Sequence, residues 1–156
     1  YMPVNVVDVR AMTSEDVTAV AAIERMVQFH PWTSRQFVES LESGQRCTVA
    51  VLDQHVVGFC ILQPVLDEAN LLLMGVTPTA QGRGVGFQLL DTSIEQLGDG
   101  CVMVFLEVRT SNTAALALYE KGGFHRMGVR KHYYPVAGGG KEDAVLMALT
   151  RGNPFA

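Results

Sequence analysis

The chain has 156 residues, the length of one ordinary domain, with 12 Lys plus Arg against 16 Asp plus Glu for a formal net charge of −4. Its 48% apolar and 18% charged residues exclude wholesale disorder, and the acidic balance makes a dedicated nucleic-acid binder a poor fit. The longest unbroken apolar stretches, Leu71–Val76 and Cys101–Leu106, are too short to span a bilayer, so no membrane partner is expected.

The segment Met2-Pro3-Val4-Asn5 has neither the basic nor the apolar region of a signal peptide, and Tyr1 reads as an added residue before a native Met2. Val4–Ala11 is rich in Val and predicts a first strand. Thr13-Ser14-Glu15-Asp16 is a helix start, and Val17, Val20, Ala21 and Val27 carry that helix to about Phe29, before Pro31. Thr33-Ser34-Arg35-Gln36 matches a capping box and opens a second helix that ends at Gly44. Cys47–Leu52 and Val56–Gln63 predict a hairpin around Asp53-Gln54-His55, and Ala69–Val76 a third strand of the same group, stopped by Thr77-Pro78. Phe87–Leu97 is a helix. Cys101–Val108 is a continuous apolar strand, the pattern of a strand covered on both faces. Thr113–Lys121 is a short helix closed by Gly122-Gly123, and strands at Phe124–Tyr134 and Asp143–Leu149 flank a loop with Gly138-Gly139-Gly140. This order predicts a single mixed α/β (α+β) sheet flanked by helices, in one domain over 2–152 with a tail at 153–156. Three scattered cysteines, Cys47, Cys60 and Cys101, fit a reducing compartment, here the cytoplasm, and the four histidines show no metal spacing, so no metal is expected.

The chemically suggestive segment is Gln81-Gly82-Arg83-Gly84-Val85-Gly86, between a strand and a helix. Backbone N–H groups at such a turn, with the helix N-terminus, cradle phosphate oxygens, and glycine lets a ligand approach the main chain. A P-loop is excluded because the segment runs on as Val85-Gly86-Phe87 instead of Gly-Lys-Ser/Thr. A dinucleotide fingerprint is excluded because Phe87 stands where its third glycine belongs.

The loop resembles the acetyl-CoA loop, Gln/Arg-x-x-Gly-x-Gly/Ala, of the GCN5-related N-acetyltransferases (GNAT), and the element order is similar to that fold. Further segments resemble the N-terminal acetyltransferase branch of ribosomal-protein alanine N-acetyltransferases (RimI type). They are Pro31-Trp32-Thr33, Val65-Leu66-Asp67-Glu68-Ala69, Leu106–Ala115, Ala117-Leu118-Tyr119-Glu120, Tyr133-Tyr134-Pro135, and Glu142-Asp143-Ala144 with Met147-Ala148-Leu149. The resemblance implies a mostly antiparallel sheet with a V-shaped splay between two central strands, and acetyl-CoA as co-substrate. It implies an acceptor that is a protein N-terminus, expected to be the alanine of a small-subunit ribosomal protein. Two departures stand out. Phe87 replaces a residue that is often polar or basic, and Gly75 replaces the more usual Ala, which reads as a conservative change.

Acetyl transfer to an amine needs an uncharged nucleophile, and a free α-amine has a pKa of roughly 8, so a modest base suffices. Glu107 is a lone acid in the apolar strand, suited to proton acceptance directly or through water; by spacing alone it is equally a partner for Arg109 or Arg130, or a solvent-facing strand position. Asn112 and Tyr119 are seven residues apart, so they share a helix face about 10 Å apart. Asn112 is also a natural N-cap, and Tyr119 a plausible core aromatic with its hydroxyl at the rim. The resemblance makes Glu107 the proton acceptor, Tyr119 the donor to the CoA sulfur, and Asn112 a ligand of the pantetheine arm. Main-chain groups of Met74, Gly75 and Val76 then pair with that arm, and Gln81, Gly82, Arg83, Gly84, Val85, Gly86 and Phe87 line the phosphates. Trp32, Glu68, Tyr133 and Tyr134 are candidate walls of the acceptor site, and Arg130-Lys131-His132 reads as a solvated strand edge or as a contact for the 3′-phosphate of CoA or an RNA-rich partner. Two other functions fit the same fold: acetylation of a small amine or a protein lysine, and non-catalytic binding of acyl-CoA.

Overall fold

A computed structural model describes residues 7–152. The strands are β1 (Asp8–Ala11), β2 (Arg46–Leu52), β3 (His55–Val65), β4 (Glu68–Val76), β5 (Met103–Arg109), β6 (His125–Pro135) and β7 (Lys141–Thr150). The α-helices are α1 (Val17–Val27), α2 (Ser34–Glu42), α3 (Val85–Glu95) and α4 (Thr113–Lys121). The strands hydrogen-bond in the order β1-β2-β3-β4-β5-β7-β6, the single mixed sheet expected from the element order. The chain divides into two compact units, one running to Gln63 and resuming over Leu72–Gln96, the other holding Pro64–Leu71 and the chain from Leu97 on.

In the first unit β1 and β3 both pair antiparallel with β2. Its core is one continuous cluster in which Val17, Val20, Ala21 and Ile23 of α1 and Phe37 of α2 pack on Cys47, Val49, Phe59 and Ile61. These strand residues alternate, so they share one sheet face. The opposite face meets α3: the Thr48 hydroxyl hydrogen-bonds that of Ser93 at 2.6 Å, and Gly58 backs onto Leu89. The hairpin turn is Asp53-Gln54 alone, both at positive φ, and His55 already pairs with Leu52. Such a two-residue turn matches the strand twist. The helix predicted to reach Phe29 stops at Val27, because Gln28 is extended. The part of the predicted first strand before residue 7 lies outside the described residues. Asp16 closes the entry to α1 by accepting from the Thr13 N–H at 2.8 Å and from both terminal nitrogens of Arg10 at 2.8 and 2.9 Å.

In the second unit β4 pairs in parallel with β5 over Glu68–Asn70 opposite Met103–Phe105, and the ladder ends there. β5 continues along its whole length in antiparallel pairing with β7, which carries β6 on its other side. The strand predicted over Cys101–Val108 starts two residues later. Cys101 lies in a turn whose carbonyl, like that of Gly98, accepts from the Arg151 guanidinium. Nor is β5 covered on both faces: Val104, Leu106 and Val108 are buried, whereas Phe105, Glu107 and Arg109 are only half-buried.

Candidate active site

The glycine loop belongs to the first unit. Thr77 N–H donates to the Val57 carbonyl at 2.7 Å, and the Gln81 side-chain amide donates back to the Val76 carbonyl at 2.9 Å, so the end of β4 is fixed to the turn below it. Gly82 and Gly84 both sit at φ +79°, and Gly84 is the N-cap residue of α3. A Cβ at either glycine would meet no heavy atom within 4 Å. The glycines are therefore demanded by the left-handed backbone and not by packing, and the space above them is open. The first helical bond runs from Gln88 N–H to the Gly84 carbonyl at 3.1 Å. The amides of Val85 and Gly86 precede it, at the helix N-terminus. Open space, the positive end of the α3 dipole and the exposed Arg83 suit an anionic phosphate, so this loop fits the CoA pyrophosphate.

Upstream, Met74 and Val76 are half-buried and Gly75 is buried. A Cβ at Gly75 would lie 2.9 Å from the Phe59 ring and 3.1 Å from Val27. The change from Ala to Gly is thus not the conservative swap it reads as: the Phe59 ring occupies the place of a methyl group. In the same unit Trp32 packs on Phe37 with ring centroids 5.4 Å apart. Its N–H donates at 2.9 Å to the carboxyl of Glu24, which is fully buried with its Oε1 unpartnered, and burial pushes the Glu24 pKa up.

The second unit gathers Glu107, Tyr133 and Tyr134 into one cluster. The Glu107 side chain is 27% exposed, and its Oε1 lies 3.1 Å from Arg130 Nη2. Arg130, one of the two ion-pair partners read from the sequence for Glu107, also stacks on the Tyr133 ring at 4.7 Å. The Arg109 guanidinium stacks on Tyr134 at 4.6 Å, and the two tyrosine rings meet edge to face at 4.9 Å. The Tyr134 hydroxyl donates to the Glu107 carbonyl at 3.2 Å. Burial chiefly, aided by the Glu107 charge, pushes the Tyr134 pKa up to about 12, so this hydroxyl remains a donor across the neutral range. One cation–aromatic pair thus faces the carboxylate of Glu107 and the other its main chain.

A bulge in β6 makes this possible. Arg130 pairs with Ala144 and Tyr134 with Glu142, so three residues oppose Asp143 alone. His132 takes φ +53°, and its N–H donates to Asp143 Oδ1 at 3.0 Å. Adjacent strand residues normally point to opposite faces, and the extra residues re-aim Tyr133 and Tyr134.

Asn112 is the N-cap of α4: its Oδ1 accepts from Ala115 N–H at 3.1 Å. At the far end of that helix Tyr119 is 8% exposed and packs on Phe124 at 5.8 Å. Glu68 stands exposed at the start of β4. Sequence reasoning gave no role to Glu24 or Glu142 and read Arg109 only as a possible partner of Glu107. For Glu142 the sequence signal is its place in Glu142-Asp143-Ala144, one of the segments that carry the family resemblance.

The second unit so holds a half-buried carboxylate, a buried phenol on the next helix, and two tyrosine rings in contact. These are the parts needed to take a proton from an amine and return one to a leaving group. The acetyltransferase (GNAT) family matches residues 8–124. The [ribosomal protein bS18]-alanine N-acetyltransferase of Salmonella typhimurium is 40% identical over 139 residues, 88% of this chain and 93% of that protein. Its counterpart in Escherichia coli K12 is 38% identical over 144 residues, 90% and 95% of the two chains. The crystal structure of the ribosomal-protein-S18-alanine N-acetyltransferase from Escherichia coli matches with a TM-score of 0.87 and 33% identity, covering 97% of this chain and 99% of that one. With the glycine loop, the mixed sheet and these likenesses together, the chain belongs to the GNAT family of acetyltransferases.

Proposed function

We propose that this enzyme acetylates the α-amine of an N-terminal alanine, that of ribosomal protein bS18, in the cytoplasm. The observation that supports it most is the 40% identity to the Salmonella bS18-alanine enzyme, sustained over 88% of the chain. The co-substrate acetyl-CoA supplies an activated acetyl group as a thioester. Main-chain amides of Gly82, Gly84, Val85, Gly86 and Phe87, with Gln81 and Arg83 beside them, hold its pyrophosphate. Met74, Gly75, Val76 and Asn112 bind the pantetheine arm. Because the Asn112 Oδ1 already caps α4, its amide nitrogen is the atom left to donate.

Glu107 takes the amine proton, directly or through one water. The amine nitrogen then bonds to the acyl carbon as the carbon–sulfur bond breaks, and Tyr119 Oη delivers a proton to the sulfur. Trp32, Glu68, Tyr133 and Tyr134 wall the acceptor.

The test is acetyl-CoA turnover on peptides that differ only in their first residue, with a lysine inside and with the N-terminus free or blocked. The expected result is fastest acetylation of the free N-terminal alanine, located by mass spectrometry. Labelling of the internal lysine in preference to the N-terminus contradicts the proposal.

A further inference from the structure

Four hydrogen bonds converge on the carboxylate of Glu142, at the start of β7. Oε1 accepts from Arg109 Nη1 at 3.0 Å and from the Ser111 hydroxyl at 3.0 Å. Oε2 accepts from the Thr110 hydroxyl at 3.3 Å and from the Ser111 N–H at 3.2 Å. The Ser111 hydroxyl, with Arg109 next, holds the Glu142 carboxyl below the usual carboxylate range, so it stays ionised. The same Arg109 nitrogen donates to the Pro135 carbonyl at 2.7 Å, next to Tyr134, and the guanidinium lies on the Tyr134 ring. Tyr134 in turn donates to the Glu107 carbonyl. A chain of contacts therefore leads from Glu142 through Arg109 and Tyr134 to the main chain of Glu107.

We infer that Glu142 is a positioning residue for acetyl transfer, acting through Arg109 and Tyr134 to set Glu107. A surface tie would need one partner; here a single carboxylate fixes a strand end, a turn and a guanidinium that braces an aromatic ring. Without the Glu142 carboxylate, Arg109 loses the ion pair that helps to steer its guanidinium onto the Tyr134 ring, and Ser111 and Thr110 lose their shared acceptor. A shift of Arg109 moves the Tyr134 ring that it covers, and with it the hydrogen bond that the ring makes to the Glu107 carbonyl. The inference rests on Glu107 as the base.

The experiment is a double-mutant cycle on kcat, with thermal unfolding of each variant alongside. Glu142→Gln is expected to lower kcat between about tenfold and a hundredfold, the cost of a misplaced catalytic group. Glu142→Asp, which keeps the charge, is expected to retain more of it. In a Glu107→Gln background the same Glu142→Gln change is expected to alter kcat by less than about twofold, because there is no base left to position. Equal losses in both backgrounds overturn the inference alone, since they describe a general structural role. Parent-level kcat in Glu107→Gln overturns the base assignment and this inference together. If Glu142→Gln does not fold, Arg109→Lys, which keeps the charge but not the guanidinium that covers the Tyr134 ring, takes its place in the cycle with the same expectations.

Discussion

The glycine loop of the first unit and the Glu107 cluster of the second reach a ligand-ready surface by opposite means. The loop is built from main chain: two glycines at positive φ, open space where side chains would stand, and helix amides. The cluster is built from side chains, two arginine–tyrosine stacks on either side of one glutamate, with a bulge to aim the rings. A main-chain site is specified by the residues that must be absent. A side-chain site depends on partners distant in the sequence, as Glu107 depends on Arg130, Tyr134 and Glu142. The first should tolerate changes that preserve backbone conformation; the second should respond to single atoms.

The largest expected effect lies in the second unit. Glu107→Gln keeps size but not proton acceptance, so kcat at neutral pH should fall about 10²–10⁴-fold. Calorimetric titration should find acetyl-CoA affinity within about twofold of the parent, because the variant leaves the loop alone. Tyr119→Phe should lower kcat by less, about 10–10²-fold, because a thiolate departs tolerably without an acid. If Tyr119→Phe mainly raises the Kd for acetyl-CoA, the phenol belongs to the binding surface and the division between the two regions is wrong.

The loop gives the converse result. Gly84→Glu should weaken acetyl-CoA binding more than tenfold, through the carboxylate's repulsion of the pyrophosphate and the strain of about 1–2 kcal/mol at positive φ. Gly84→Asn, whose side chain accepts that backbone, should bind more tightly than Gly84→Glu. Equal affinities of parent and Gly84→Glu by titration would reduce the loop to a turn.

The smallest effect is on stability. Asp16 has its pKa lowered chiefly by the Arg10 hydrogen bonds, with the Thr13 N–H adding to it. A depressed folded-state pKa contributes stability that is full above the unfolded value near 4 and is lost as pH falls through the folded value. Arg10 is 43% exposed, so solvent screening limits the ion pair, and Asp16→Asn should cost about 1 kcal/mol at neutral pH. The difference between parent and variant should shrink as pH drops below 4 in denaturant titrations.

Much of the fold was legible because local signals agree with it. Thr33 and Gln36 form the predicted capping box, and α4 spans the predicted residues. The glycine loop was legible because glycine at a strand–helix turn is a local signal. The bulge at Lys131–Tyr133 was not, since three residues opposite one is a property of two strands together. The half-open face of β5 escaped for a related reason: Phe105 reads as core, but its exposure depends on what lies over the strand. Glu107 fell between the two cases. Its isolation among apolar residues marked it, yet only the tertiary structure chose Arg130 over Arg109 as its ion-pair partner.

The pH dependence of kcat for Glu107→Gln beside the parent, on a peptide with a free N-terminal alanine, tests the central claim most directly. If Glu107 is the base, the variant's deficit narrows as pH rises past about 8, where the α-amine arrives already deprotonated. Two curves that coincide near pH 7 contradict the claim, for then the amine loses its proton without Glu107.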